Sequence, residues 1–182
     1  MKNLGRDIAI KKNVISSDKC KVLIDLFEEN KQLVTLNNDD YDENTQYSDF
    51  MLMTKLAPNI DEYINELIKT SINEYKSLLN IPFSLGVQFE QPKIMKFRKG
   101  QDQFDTHFDG NGSDHPRTLV LICYLNDVNS GGELELPSKE NTITVKPEQG
   151  KLLVCPTDWT HYHNVNTPLD CDRYSLITFL RY

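Results

Sequence analysis

The sequence predicts a mainly β protein with N-terminal helices (α+β), a double-sheet β-core buttressed by two helices. Three observations predict it. Two stretches of the first half carry apolar residues at helical spacing. From Gly86 the texture changes to short β-rich runs divided by turn signals. At 182 residues the chain is long enough for one real core and cramped for two. The expected layout is a single domain, 1–182, with a helical support region at 1–85 and the β-core at 86–182.

The first helix starts at Ser16-Ser17-Asp18, with Ser17 as its N-cap. Cys20, Leu23, Ile24 and Phe27 then fall on one face. Leu36 to Asp49 is polar and acidic and reads as a loop, extending to Phe50 as a candidate substrate lid. Pro58 suits the first position of the second helix. Ile60, Ile64, Leu67, Ile68, Ile72, Tyr75 and Leu79 keep helical spacing up to Asn80-Ile81-Pro82, and such a stripe reads as a core face.

Val87 to Phe89 and Ile94 to Phe97 are strand material, and Thr118 to Leu125 is an apolar, β-rich run expected to be a buried strand. Glu133 to Leu136 and Thr142 to Val145 alternate, and Lys151 to Cys155 and Tyr174 to Tyr182 complete the set. Ser130-Gly131-Gly132 and Pro147-Glu148-Gln149-Gly150 supply turns.

A net charge of -7 makes nucleic acid a poor partner. The N-terminal stretch lacks the apolar run of a signal peptide, and no segment has the length of a membrane span, so the expectation is a cytoplasmic protein without membrane contact. Cys20, Cys123, Cys155 and Cys171 are far apart, which suits free, mostly buried thiols rather than a paired zinc site.

The chemistry concentrates in two segments. In extended chain, residues i and i+2 project to one face, so His107 and Asp109 can both reach one metal ion. A lone HxD is weak. The segment Asp158-Trp159-Thr160-His161-Tyr162-His163 adds two histidines, either of which would complete a two-His, one-carboxylate set. That set holds Fe(II) on one face and leaves other positions open, although zinc accepts the same ligands. Arg173 lies ten residues after His163 (173 − 163) on an expected strand. A buried arginine beside an open metal site suits bidentate capture of a carboxylate, as on a dicarboxylate co-substrate. The competing reading is an ion pair with Asp170 or Asp172.

These pieces resemble, in order and spacing over about residues 90 to 182, the catalytic domain of the prolyl 4-hydroxylases within the 2-oxoglutarate/Fe(II) oxygenases. The matching residues are His107 and Asp109, Tyr124-Leu125-Asn126-Asp127, Gly131-Gly132-Glu133-Leu134, Gly150 to Val154, His163-Asn164-Val165 and Arg173-Tyr174-Ser175. The chain resembles the minimal bacterial, viral or algal members.

The resemblance implies a double-stranded β-helix, or jelly-roll, and a dioxygenase using Fe(II), 2-oxoglutarate, O2 and ascorbate. It implies His107, Asp109 and His163 as metal ligands, with Arg173, Tyr124 and Ser175 at the co-substrate carboxylate. The tyrosine that many relatives carry upstream of HxD is matched here by Phe97, which lacks a hydroxyl. Arg117, His161 and Trp159 are candidate substrate-facing residues, and His115 reads as an exposed loop residue. The implied reaction is 4-hydroxylation of a proline in a peptide or protein, with the same chemistry on a free amino acid or metabolite, or a non-catalytic iron- or 2-oxoglutarate-binding jelly-roll, as alternatives.

Overall fold

The apolar run in the middle of the chain sets the architecture. In a computed structural model it forms a strand, Arg117–Tyr124, whose last six residues are all buried. A strand covered on both faces must lie inside a sheet with material on either side. The structure describes residues 1–38, 47–52, 58–86, 88–110 and 117–182, apart from the side chains of 35–38, 47–52, 58, 59 and 61. Among these, two α-helices and thirteen strands are found: β1 (Lys2–Gly5), β2 (Ile8–Lys11), α1 (Ser17–Glu29), β3 (Thr35–Asn38), β4 (Tyr47–Leu52), α2 (Pro58–Leu78), β5 (Gln88–Phe89), β6 (Lys93–Phe97), β7 (Phe104–His107), β8 (Arg117–Tyr124), β9 (Leu134–Leu136), β10 (Ile143–Val145), β11 (Leu152–Pro156), β12 (His163–Val165) and β13 (Arg173–Arg181).

A major sheet runs β1-β2-β11-β8-β13-β6-β4-β3, with β5 also on β13, and a minor sheet runs β10-β9-β12-β7. Every strand pairing is antiparallel. This is the expected double-sheet jelly-roll with helical support. Strand alternation divides β8, β11 and β13 between two cores. Leu119, Leu121, Cys123, Leu152, Val154, Tyr174, Leu176 and Leu180 pack with the helices, against Cys20, Leu23, Phe27, Ile64, Ile68, Ile72 and Tyr75. Val120, Ile122, Tyr124, Leu153, Cys155, Ile177 and Phe179 face the minor sheet, packing with Leu134, Leu136, Val145 and Val165.

Several elements differ from expectation. The N-cap of α1 is Ser16, one residue earlier than Ser17, because Ser16 holds extended backbone and Ser17 already turns. The support region contributes four strands besides its helices. The stretch expected as a loop from Leu36 is instead built at both ends into a hairpin, Thr35 pairing with Phe50 and Asn38 with Tyr47, and β4 adds to β6. Backbone pairing needs no apolar side chains, so polar composition hid it. Residues 39–46, the centre of the proposed lid, lie outside the described residues, as do Val87 and His115. All four cysteines are free, three buried and Cys171 half-buried. Among the described residues no helix is long and apolar enough to cross a membrane.

Candidate metal centre

Register brings the two histidines together. His163 opens β12 directly opposite His107, the last residue of β7. Opposed residues of an antiparallel pair share a face about 5 Å apart, and the two ring centres are 4.5 Å apart. Past β7 the chain turns at Asp109-Gly110. Asp109 Oδ1 lies 3.6 Å from His107 Nε2, and Oδ2 lies 3.6 Å from His163 Nε2. One donor atom from each of the three residues falls within 4.8 Å of the others. The turn is pinned where Gly110 N donates to Thr157 O at 2.8 Å. A Cβ on residue 110 would stand 2.7 Å from that oxygen, so only glycine allows the approach.

Both imidazoles are oriented by backbone. His107 Nδ1 lies 2.7 Å from Asp105 O, and His163 Nδ1 lies 3.0 Å from His161 O. A carbonyl only accepts, so each Nδ1 carries the proton and each Nε2 turns its lone pair to the cluster. Burial pushes the Asp109 carboxyl up, but His163, His107 and Arg117 outweigh it and hold the group at about 2. Burial lowers His107, and the adjacent Asp109 carboxylate more than reverses this, leaving it above the ordinary imidazole value. For His163 burial prevails over Asp109, and it falls below. An ionised carboxylate between two inward-facing imidazole nitrogens fits a divalent ion of the Fe(II) type, held from one side.

The other end of the same pocket is cationic. Arg173 pairs across strands with Phe97, and Ser175 with Tyr124. Arg173 is 1% exposed, and Tyr124 and Ser175 are 0% exposed. The guanidinium carbon lies 4.8 Å from the Phe97 ring centre and 5.1 Å from that of Tyr124. Arg173 Nε and Nη1, Tyr124 Oη and Ser175 Oγ are buried with no hydrogen-bond partner among the described residues. Burial lowers the Arg173 pKa, an effect only partly offset by Tyr124 and Glu133. Unmatched donors gathered around a buried cation are costly unless an anion completes them. Arg173 and the triad line one cavity of about 190 Å³, walled by Met95, Phe97, Phe104, Val120, Ile122, Ile177 and Phe179. Tyr124 and Ser175 do not line it.

Arg117 lines the cavity as well. Its Nε and Nη2 donate to the Glu90 carboxylate at 2.7 and 2.9 Å, and its Nη1 reaches Asp109 O at 3.4 Å. Its guanidinium lies 3.7 Å from the centre of the Phe179 ring. Glu90, Ile177 and Phe179 were not anticipated. The last two follow from Arg173 by the two-residue strand period.

Trp159 and His161, read from the sequence as substrate-facing, do not line the cavity. They sit on a short 3₁₀ turn, Trp159–His161, capped by Asp158. That turn breaks strand alternation. Trp159 is 72% exposed. His161 points its Nε2 at Arg6 O, 2.7 Å away, and its Nδ1 at Asp158 Oδ1, 3.2 Å away. Both ring nitrogens are therefore engaged outside the metal cluster.

Comparison with known proteins agrees with this geometry. Residues 93–181 match the family model of the 2OG-Fe(II) oxygenase superfamily. No curated protein sequence matches the chain. Among solved structures, the fold is similar to a viral collagen prolyl hydroxylase from Paramecium bursaria Chlorella virus-1 in its 2OG complex, with TM-score 0.72 at 17% identity, covering 97% of each chain. It is similar to a Pseudomonas putida prolyl-4-hydroxylase, with TM-score 0.71 at 18% identity over 97% of this chain and 93% of that one. A Trichoplax adhaerens prolyl hydroxylase, solved with a hypoxia inducible factor oxygen degradation domain peptide fragment, gives TM-score 0.75 at 15% identity over 97% and 84%. At these identities the likeness establishes the fold.

Proposed function

We propose that this chain, whose residues 93–181 belong to the 2OG-Fe(II) oxygenase superfamily, is a 2-oxoglutarate-dependent dioxygenase that hydroxylates a C–H bond, with peptidyl proline as its leading substrate and carbon 4 as the position. The observation that carries the reading is one cavity joining the inward-facing His107, Asp109 and His163 to the buried, unmatched Arg173.

Fe(II), bound with 2-oxoglutarate and O2, supplies oxidative decarboxylation of the co-substrate to succinate and CO2 and delivery of one oxygen atom to the substrate. The protein's part is geometry. His107 and His163 present Nε2, each with its proton fixed on Nδ1, and Asp109 supplies the charge. Arg173 binds the far carboxylate of the co-substrate, with the hydroxyls of Tyr124 and Ser175 within the same buried cluster. The apolar walls exclude water from the reaction.

The prolyl assignment draws on the three structures of like fold, all prolyl hydroxylases, one holding a peptide. Succinate release from 2-oxoglutarate, measured with Fe(II), ascorbate and O2, tests the reading. A sharp rise with a proline-rich peptide supports a prolyl target. Slow, peptide-independent succinate keeps the oxygenase and redirects the substrate to a free amino acid or metabolite. No succinate from iron-loaded protein overturns the enzyme reading. Asp109→Ala, which deletes a ligand, is expected to abolish both iron binding and turnover.

A further inference from the structure

The first hairpin of the chain reaches the Trp159–His161 turn, which leads into His163. Gly5 pairs with Ile8, so β1 and β2 are joined by only two residues, Arg6 and Asp7. Both hold positive φ, 52° and 58°. Two-residue turns of this hand favour Asn-Gly, because larger L side chains are strained there. Strain of this kind persists where surrounding contacts fix it. Asp7 O accepts from Tyr75 Oη at 2.6 Å, anchoring the tip to α2. Arg6 turns the other way. Its Nη1 donates to Leu136 O at 3.3 Å and Pro137 O at 3.1 Å, at the end of β9, and its Nη2 donates to Thr160 O.

Arg6 therefore grips the Trp159–His161 turn from two sides. Its guanidinium holds the carbonyl of residue 160, and its own carbonyl accepts from His161 Nε2 at 2.7 Å. The carbonyl of His161 in turn accepts from His163 Nδ1 at 3.0 Å. An unbroken chain of contacts runs from the hairpin tip, through His161, to the imidazole that faces Asp109.

We infer that Arg6 is a positioning residue for the metal centre: the tip of the N-terminal hairpin holds the Trp159–His161 turn so that His163 presents Nε2 to Asp109 and His107. The inference rests on reading the triad as a metal site. It gives His161 a task that its exclusion from the cavity leaves open. It also accounts for an arginine at a strained turn, since a rigid, planar fork of donors suits carbonyls set on two separate segments. Lysine would keep the charge and lose the fork. Removing groups that orient metal ligands weakens metal binding by about 10- to 100-fold.

The test titrates metal-free full-length protein with Co(II) alone, following the visible absorption of the bound ion, for wild type, Arg6→Gln, Arg6→Lys and His161→Ala. Melting is recorded with and without Co(II). The expected result is a Co(II) affinity about tenfold weaker in all three variants, a changed absorption band, and a smaller Co(II)-induced rise in melting temperature. The double variant Arg6→Gln/His161→Ala should lose no more than the larger single loss, because both act through one turn. A purely structural strut would lower both melting temperatures equally and leave affinity and band unchanged, and that result overturns the inference. If Arg6→Gln does not fold, Arg6→Lys and His161→Ala carry the same measurement. A wild-type chain that binds no Co(II) overturns the metal reading itself, and this inference with it.

Discussion

Replacing Arg173 with methionine should make the empty protein more stable while disabling its co-substrate site. The guanidinium is 1% exposed, stacked near Phe97 and Tyr124, and two of its nitrogens have no partner among the described residues. Tyr124 and Glu133 offset its burial only in part. Taking an ion out of water costs several kcal/mol, and exchanging buried ions for apolar groups of similar volume is neutral to stabilising by about 1–4 kcal/mol. For a chain of this length each kcal/mol moves the midpoint by about 2–4 °C. Arg173→Met is therefore expected to melt up to about 16 °C higher without ligand. Losing one partner of a buried, hydrogen-bonded charge pair costs about 2–5 kcal/mol. Affinity for 2-oxoglutarate should accordingly fall by about 30-fold to several thousand-fold. Differential scanning calorimetry with and without 2-oxoglutarate, plus calorimetric titration of the metal-loaded protein under nitrogen, reads both effects. Two results would refute the reasoning: a lower midpoint in the ligand-free variant, or an equal 2-oxoglutarate-induced rise in both proteins. Either would mean that the protein alone satisfies the charge.

Three further outcomes are expected. Gly110→Ala places a methyl group 2.7 Å from Thr157 O. The Asp109 turn must then move, and metal titration should show affinity weakened by about tenfold or more with the helices intact by circular dichroism. Metal affinity should fall as pH falls, since the ion competes with protons. Asp109 holds His107 above the ordinary imidazole value, so the loss begins at higher pH than for a free histidine, and titrations across the neutral range would reveal its onset. Glu28 accepts from Lys96 at 2.8 Å, Tyr174 at 2.6 Å and Lys31 at 2.8 Å, tying α1 to β6 and β13. Burial raises its pKa, and these donors overcome that to hold it at about 2. A depressed carboxyl stabilises above its unfolded value of about 4.3 and loses that contribution as pH falls toward about 2. The stake is at most about 3 kcal/mol at 1.36 kcal/mol per unit, less after solvent screening. Glu28→Gln should flatten urea stability between pH 5 and 2 by up to that amount; an unchanged acid limb would refute it.

Helices α1 and α2 were legible because their inward residues repeat with the helical period, and β8 because a strand covered on both faces reads as continuous apolar sequence. The pairing of His107 with Asp109 and the later Arg173 were legible as a chemical pattern, whereas the choice of His163 over His161 came only from the family resemblance. The first hairpin was not, because its turn uses Arg6 and Asp7 where glycine or asparagine would have announced it. The ends of the 36–50 stretch were hidden because the strand pairing of β3 with β4 runs through backbone, which polar sequence does not announce. His161 shares the parity of His163, and a strand would have put both in the cluster. The 3₁₀ turn that separates them belongs to tertiary structure, stabilised by Arg6, a residue 155 positions away. Likewise Glu90, partner of Arg117 at a separation of 27 residues, leaves no local trace.

The major sheet is a single layer of backbone between two cores, and this bears on how such a protein changes over generations. On β13, Tyr174, Leu176 and Leu180 support the helices, while Ile177 and Phe179, continuing the period from Arg173, wall the cavity. On β8 the same division separates Leu119 and Leu121 from Val120 and Ile122. Alternate letters of one strand thus answer to different demands, durability on one side and the shape of the cavity on the other. A lineage can reshape the cavity at every second position while the intervening residues keep the helices in place.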